Sequence, residues 1–211
     1  MSESHSPSNA ASGLTKSRIE ALADGVFAIA MTLLVLELKV PNIDRVHPDQ
    51  LLPALVAQWP KYISYVISFF MLGIYWIGHH NQFHVIRRSD RGFLWINILY
   101  LMTISLLPFS TALLGEYPGT RIALIIYGGN LAVIGLVLYW HWYYATHNYR
   151  LIDSDIDPQI ITLVARRILS GVIIYLFAIS VSFMSVTMSL VIYLVAPLIF
   201  LLPGKVDRFW R

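Results

Sequence analysis

Long apolar runs separated by short polar breaks dominate the chain, and the runs are of membrane-crossing length. A helix needs about 20 apolar residues to cross a hydrocarbon core, with every backbone group satisfied inside it. By that measure the sequence divides into six spans, near residues 18–40, 55–84, 93–115, 121–147, 161–184 and 187–203. The breaks have turn chemistry. "VPNIDRVHPDQ" holds Pro41 and Pro48, "RRSDRG" is a charge cluster, "GEYPGTR" contains Pro118-Gly119, and "RLIDSDIDP" is acidic. No charge occurs from Ile168 to Gly204, so a tight turn near Ser185–Ser189 is expected to divide the last two spans. Residues 1–15, "MSESHSPSNAASGLT", lack the order of a secretory signal and read as a disordered cytoplasmic tail. Residues 16–211 then form one six-helix transmembrane domain.

Composition agrees with this division. At 211 residues, 57% hydrophobic and 13% charged, the chain is too apolar for a soluble domain of its size. It has no cysteine, which excludes disulfides, thiolate metal sites and cysteine nucleophiles. An even number of spans puts both termini on one side. Of the 15 Lys and Arg, all but Lys39, Arg45, Lys61 and Arg121 fall on that side. The positive-inside rule makes it the cytoplasm. The net charge of +3 therefore reflects topology and gives no support for nucleic-acid binding. No P-loop, G-x-S-x-G or paired carboxylates point to an enzyme, and nothing calls for a cofactor. The expected fold class is an all-α, multi-pass membrane protein.

The first span, "RIEALADGVFAIAMTLLVLELKVP", keeps Arg18, Glu20, Asp24, Glu37 and Lys39, charges that a plain anchor would lack. On a helical wheel Gly25, Ile29, Thr32, Leu33 and Leu36 share one face, and Asp24 and Glu20 lie opposite. Lipid accepts the first face and rejects the second, so Asp24 is expected to point into protein. Donors are available in "WIGHHNQFH", with His79, His80, Asn81 and His84, and in the third span, with Asn97, Thr103, Ser105, Ser110 and Thr111. Interhelical polar contacts of this kind also serve as plain structural glue. His80 and His84 have metal-ligand spacing, but no third ligand is evident and no metal site is assigned. Trp59, Tyr62, Trp76, Trp95 and the aromatics of 139–144 read as interfacial anchors. Pro108 and Pro197 lie inside apolar runs and predict packing kinks.

The first-span segment, followed by "WIGHH" and then "NILYLMTISLLPFSTALLGEY", resembles the single-repeat prokaryotic members of the transmembrane protein 175 potassium channel family. The family pattern has Phe-Ser-Asp where this chain has Leu22-Ala23-Asp24. The resemblance implies a potassium-permeable channel in a prokaryotic cell membrane, a homotetramer of six-span subunits whose first helix lines a central pore. Carried over by offset from the aspartate, the pore-narrowing residues fall on Ile29, Leu33 and Leu36, with Thr32 at a position of hydroxyl character. Glu37 then forms an outer ring of charge, and Arg18, Asp24, His79, His80 and Asn97 brace the first helix against the next two. The chain lacks a "TVGYG" filter and an arginine-rich voltage sensor, so a leak channel with modest selectivity is expected, its permeant ion K+. Two rivals stand beside it. One is a proton-coupled secondary transporter in which Asp24 and the His79/His80 cluster titrate. Against it, the sequence shows no inverted repeat. The other is a membrane scaffold with no transport of its own.

Overall fold

Helices occupy the apolar runs in the computed structural model, which describes residues 16–42 and 48–201. They are α1 (Lys16–Val35), α2 (Leu51–Ala57), α3 (Trp59–Val85), α4 (Arg91–Ser105), α5 (Leu107–Glu116), α6 (Arg121–Thr146), α7 (Pro158–Ser182) and α8 (Val186–Leu201). Among the described residues the one extended pairing is an isolated bridge between Ile86 and Ile152. Four segments are long and apolar enough to cross a membrane: α3, α4 with α5, α6 and α7. α8 is apolar but shorter, and α1 carries Lys16, Arg18, Glu20 and Asp24 in its first half. The expected tail at 1–15 and the end of the last span beyond Leu201 lie outside the described residues.

Proline and serine explain the boundaries that differ from expectation. The second span starts at Trp59, with Pro60 in its first turn, and the residues before it form the separate α2. Pro108 has no N–H to give Ile104, and the third span accordingly breaks at Leu106 into α4 and α5. The last turn falls at Phe183–Ser185, earlier than expected. Ser185 Oγ accepts the Met188 amide (3.3 Å) and opens α8, while Ser189 is already inside that helix, donating to the Ala178 carbonyl at 2.8 Å.

The core runs from α1 through α3, α4, α5 and α6 to α7 and α8, with Phe27, Leu72, Tyr100, Leu107, Tyr127 and Tyr193 fully buried in it. α1 packs on α3, α4 and α5, and α7 packs on α6 and α8. Buried hydroxyls bind the helices together. Ser68 Oγ lies 3.0 Å from Tyr127 Oη and 2.8 Å from Thr111 Oγ1. The Tyr75, Tyr100 and Tyr193 hydroxyls donate to the carbonyls of Leu131 (2.7 Å), Tyr75 (3.2 Å) and Leu124 (3.0 Å). The last of these bonds depends on Gly128, because the Tyr193 hydroxyl occupies the space a methyl group there would need.

At the arginine-rich end two loops are tied together. Asp90 caps α4 through the Phe93 amide (2.9 Å), and it also accepts from the Tyr144 hydroxyl (3.0 Å) and Arg150 Nε (3.0 Å). Arg88 Nη2 donates to the Ile152 carbonyl at 3.1 Å, and Arg87 pairs with Asp153 at 3.3 Å. Burial works against ionisation of Asp90. The Phe93 amide, Tyr144 and Arg150 together outweigh it and hold the carboxyl below its usual value. Of the expected interfacial anchors at this end, Trp142 is instead buried with its indole donating to the Ile161 carbonyl (3.1 Å), and Tyr144 serves Asp90.

Two expectations follow. Gly128→Ala should destabilise by about 1–3 kcal/mol through overpacking. In a double-mutant cycle with Tyr193→Phe, read by thermal unfolding in detergent, the two losses should be less than additive. Because the folded state depresses the Asp90 pKa, its carboxylate stabilises above the usual carboxylate range, and that contribution is lost as pH falls through the depressed value. The difference in unfolding temperature between wild type and Asp90→Asn should therefore be constant near neutrality and shrink in acid. A difference independent of pH would remove the charge from the account.

Candidate functional site

α1 presents three faces. Ile19, Ala23, Phe27, Ala30 and Leu34 are buried against the rest of the subunit. The stripe of Gly25, Ile29, Thr32 and Leu33 is uncovered, with Ile29 60% and Leu33 42% exposed. Asp24 lies on the far flank, also exposed to the outside of the single chain. The packed face thus sets two alanines among Ile19, Phe27 and Leu34, and Leu22, Ile29, Leu33 and Val35 point away from it. Small residues let helix backbones approach closely in a membrane, where apolar bulk gives no preference between a neighbouring helix and lipid.

The stripe has an irregular end. α1 stops at Val35, and Leu36 sits in a tight turn with its amide on the Leu33 carbonyl (3.1 Å), so the wheel no longer governs it. It is still 65% exposed. Glu37 follows in the same turn, near Lys39, Lys61 and Glu116, the last two forming an ion pair. Thr32 Oγ1 donates its one proton to the Ile29 carbonyl at 2.8 Å. Its oxygen keeps its lone pairs and remains an acceptor on the uncovered side.

The other singled-out residues separate into two groups. His79 and Asn97 are buried together, His79 Nε2 lying 2.8 Å from Asn97 Oδ1. Phe27 of α1 and Tyr100 of α4 pack on the His79 ring, at centroid distances of 6.4 and 5.2 Å. Asp24 belongs to a different, outward group. Its Oδ1 accepts from Trp76 Nε1 at 2.8 Å, the Trp76 indole stacks on His80 at 5.6 Å, and His80 Nε2 lies 3.1 Å from His84 Nε2. Arg18 is exposed on the first turn of α1 and is not brought to either group. Among the described residues no group of three or more His, Asp or Glu converges as metal ligands would.

Trp76, expected from the sequence as an interfacial anchor, is instead the hydrogen-bond partner of Asp24. Its position one helical turn before His79 and His80 was the available signal. His141, to which the sequence pattern assigns no role, is fully buried with Nδ1 2.7 Å from Gln82 Oε1 and its ring 4.2 Å from that of Phe93. Ala23, standing where the resemblance has serine, is on the packed face, and the bond to Asp24 comes from Trp76 across the α1–α3 contact.

Known proteins resemble this chain over most of its length. Residues 18–108 match the family model described as endosomal/lysosomal potassium channel TMEM175. A potassium channel of Chamaesiphon minutus is 38% identical over 188 residues, covering 88% of this chain and 93% of that protein. One of Streptomyces collinus is 36% identical over 177 residues, covering 82% and 85%. The crystal structure of a lysosomal potassium-selective channel TMEM175 homolog from Chamaesiphon minutus superposes with a TM-score of 0.78 at 35% identity, over 88% of this chain and 95% of that one. These relatives are ion channels by name, not enzymes, and with near full-length matches of this quality the chain belongs to the TMEM175 potassium channel family.

Proposed function

We propose that this chain is the subunit of a potassium-permeable leak channel in a prokaryotic cell membrane. In this reading six helices span the bilayer with both termini cytoplasmic, and four copies of α1 surround a central pore. One observation carries it. α1 buries Ile19, Ala23, Phe27, Ala30 and Leu34 in its own subunit and leaves Ile29, Thr32 and Leu33, continued by Leu36, uncovered along one side. A single helix encloses nothing, but four such stripes packed about an axis leave a narrow apolar lumen. Rings of Ile29, Leu33 and Leu36 then close the path by dewetting, and spreading the helices rewets it. The Thr32 oxygen, its proton committed to the Ile29 carbonyl, offers the acceptor that a partly dehydrated cation needs between those rings. Without a carbonyl filter, selectivity rests on pore width and this hydroxyl layer and is modest. Glu37 at the outer mouth concentrates cations.

Asp24, His79, His80 and Asn97 then serve α1 from behind. The His79–Asn97 pair fixes α3 to α4 beneath Phe27, and Trp76 holds Asp24. That arrangement also weighs against a titrating relay, because His79 is paired with an amide and the bond to Asp24 comes from an indole, not from an imidazole.

Potassium flux into liposomes containing purified protein tests the reading. Ile29→Asn should raise the flux at least about tenfold by lowering the apolar barrier about 1.4 kcal/mol or more. A silent wild type beside an active Ile29→Asn marks a closed gate, and silence from both rejects the channel. Unitary currents should be resolvable, which a carrier does not give. Glu37→Gln should reduce conductance about twofold at low ionic strength and leave it unchanged near 1 M salt, where the Debye length is about 3 Å.

A further inference from the structure

A cavity of about 280 Å³ lies among α3, α6, α7 and α8, away from the α1 stripe and at the arginine-rich end of the bundle. Its walls are apolar, formed by Met71, Ile74, Leu138, Ile168, Tyr175 and Phe200. Two facing positions without side chains leave the space: Gly78 on α3 and Gly171 on α7. A Cβ at Gly78 would come no nearer than 3.5 Å to Leu138, and one at Gly171 no nearer than 3.4 Å to Phe200. Both are ordinary contacts. Gly135 is the contrast, since an added carbon there would press to 2.8 Å from Val172. Gly135 is a close-packing glycine, whereas Gly78 and Gly171 border open volume.

Polar groups lie along the cavity. Gln82 is occupied with His141 (2.7 Å) and the Leu138 carbonyl (3.4 Å). Asn81 is half-buried and has no hydrogen-bond partner among the described residues. The Arg167 guanidinium donates Nη2 to the Phe200 carbonyl at 3.1 Å, and exposed Arg166 stands beside it. An arginine stays charged at any physiological pH, and its planar fork matches a phosphate. Such a space is poorly suited to water, because its walls offer few hydrogen-bond partners. It is suited to a hydrocarbon chain whose head is anionic.

We infer that the cavity is a binding site for an acidic phospholipid. One acyl chain runs along the Gly78–Gly171 gap toward Tyr75 and Tyr175, and the phosphate sits at Arg167 with the Asn81 amide beside it. An acyl chain leaving the bilayer for an apolar pocket gains little from burial, so preference among lipids rests on the head group. An additional cation in a zwitterionic head would be repelled by Arg167, whereas an acidic head brings none.

The test is native mass spectrometry of the full-length protein after incubation with phosphatidylglycerol or phosphatidylcholine of identical acyl chains. Wild type should retain phosphatidylglycerol at least about tenfold better, a difference of 1.4 kcal/mol. Gly78→Leu and Gly171→Leu, filling the cavity from opposite walls, should lose that adduct. Arg167→Gln should bind the two lipids alike. Each variant is checked for wild-type oligomer mass and helical content, and if one leucine variant misfolds the other decides. Equal retention of both lipids by wild type overturns the proposal. So does an undiminished adduct in a folded leucine variant, which would assign the lipid to the outer surface. The readout is independent of ion flux, so this site and the channel reading fail or stand separately.

Discussion

A polar atom surrounded by hydrocarbon must find its partner within the protein, and this bundle is organised by that requirement. Water is not there to answer a stray hydroxyl or imidazole, and each unsatisfied group costs free energy comparable to a lost hydrogen bond. The pairs that meet the demand are also the links between helices. Ser68, Tyr127 and Thr111 join α3, α6 and α5, while Tyr75 and Tyr100 reach backbone carbonyls on α6 and α3. His79 with Asn97 and Gln82 with His141 fasten α3 to α4 and to α6. α3 is common to every one of these bonds, which makes it the post against which the other helices are set.

α1 depends on that post without contributing much to it. Its packed face offers Ala23, Phe27, Ala30 and Leu34, and the Asp24–Trp76 bond is its polar link to α3. Small residues bring the helix close, and a single charge-assisted bond fixes its rotation. A helix held in that way can present a long apolar stripe to whatever lies beyond the subunit.

The same economy appears at the two ends of the bundle. At one, Asp90 gathers a helix cap, a tyrosine and an arginine, so that the loops after α3 and α6 behave as one unit. At the other, Lys61 pairs with Glu116 beside the turn that carries Glu37. Between them the glycines divide by use. Gly128 and Gly135 allow close crossings, and Gly78 and Gly171 leave a space that the surrounding membrane can fill.

Much of this was legible in the sequence. Run lengths and turn chemistry located the helices to within a few residues, because proline, glycine and charge act locally: the charge cluster at 87–91 separates α3 from α4, and Pro118-Gly119 separates α5 from α6. The wheel grouped Gly25, Ile29, Thr32 and Leu33, since helical periodicity requires only the order of residues. What the stripe faces was not legible. In a membrane, large apolar side chains serve lipid, pore and neighbour alike, so hydrophobicity could not say that Ala23 and Ala30 mark the packed face. Nor could it give Asp24 its partner. Trp76 is 52 positions away, and its indole reaches the carboxylate only because α1 and α3 pack at that register. Periodicity along one helix is written in the sequence, but contact between two helices is decided by how the whole bundle pairs most of its buried polar groups at once.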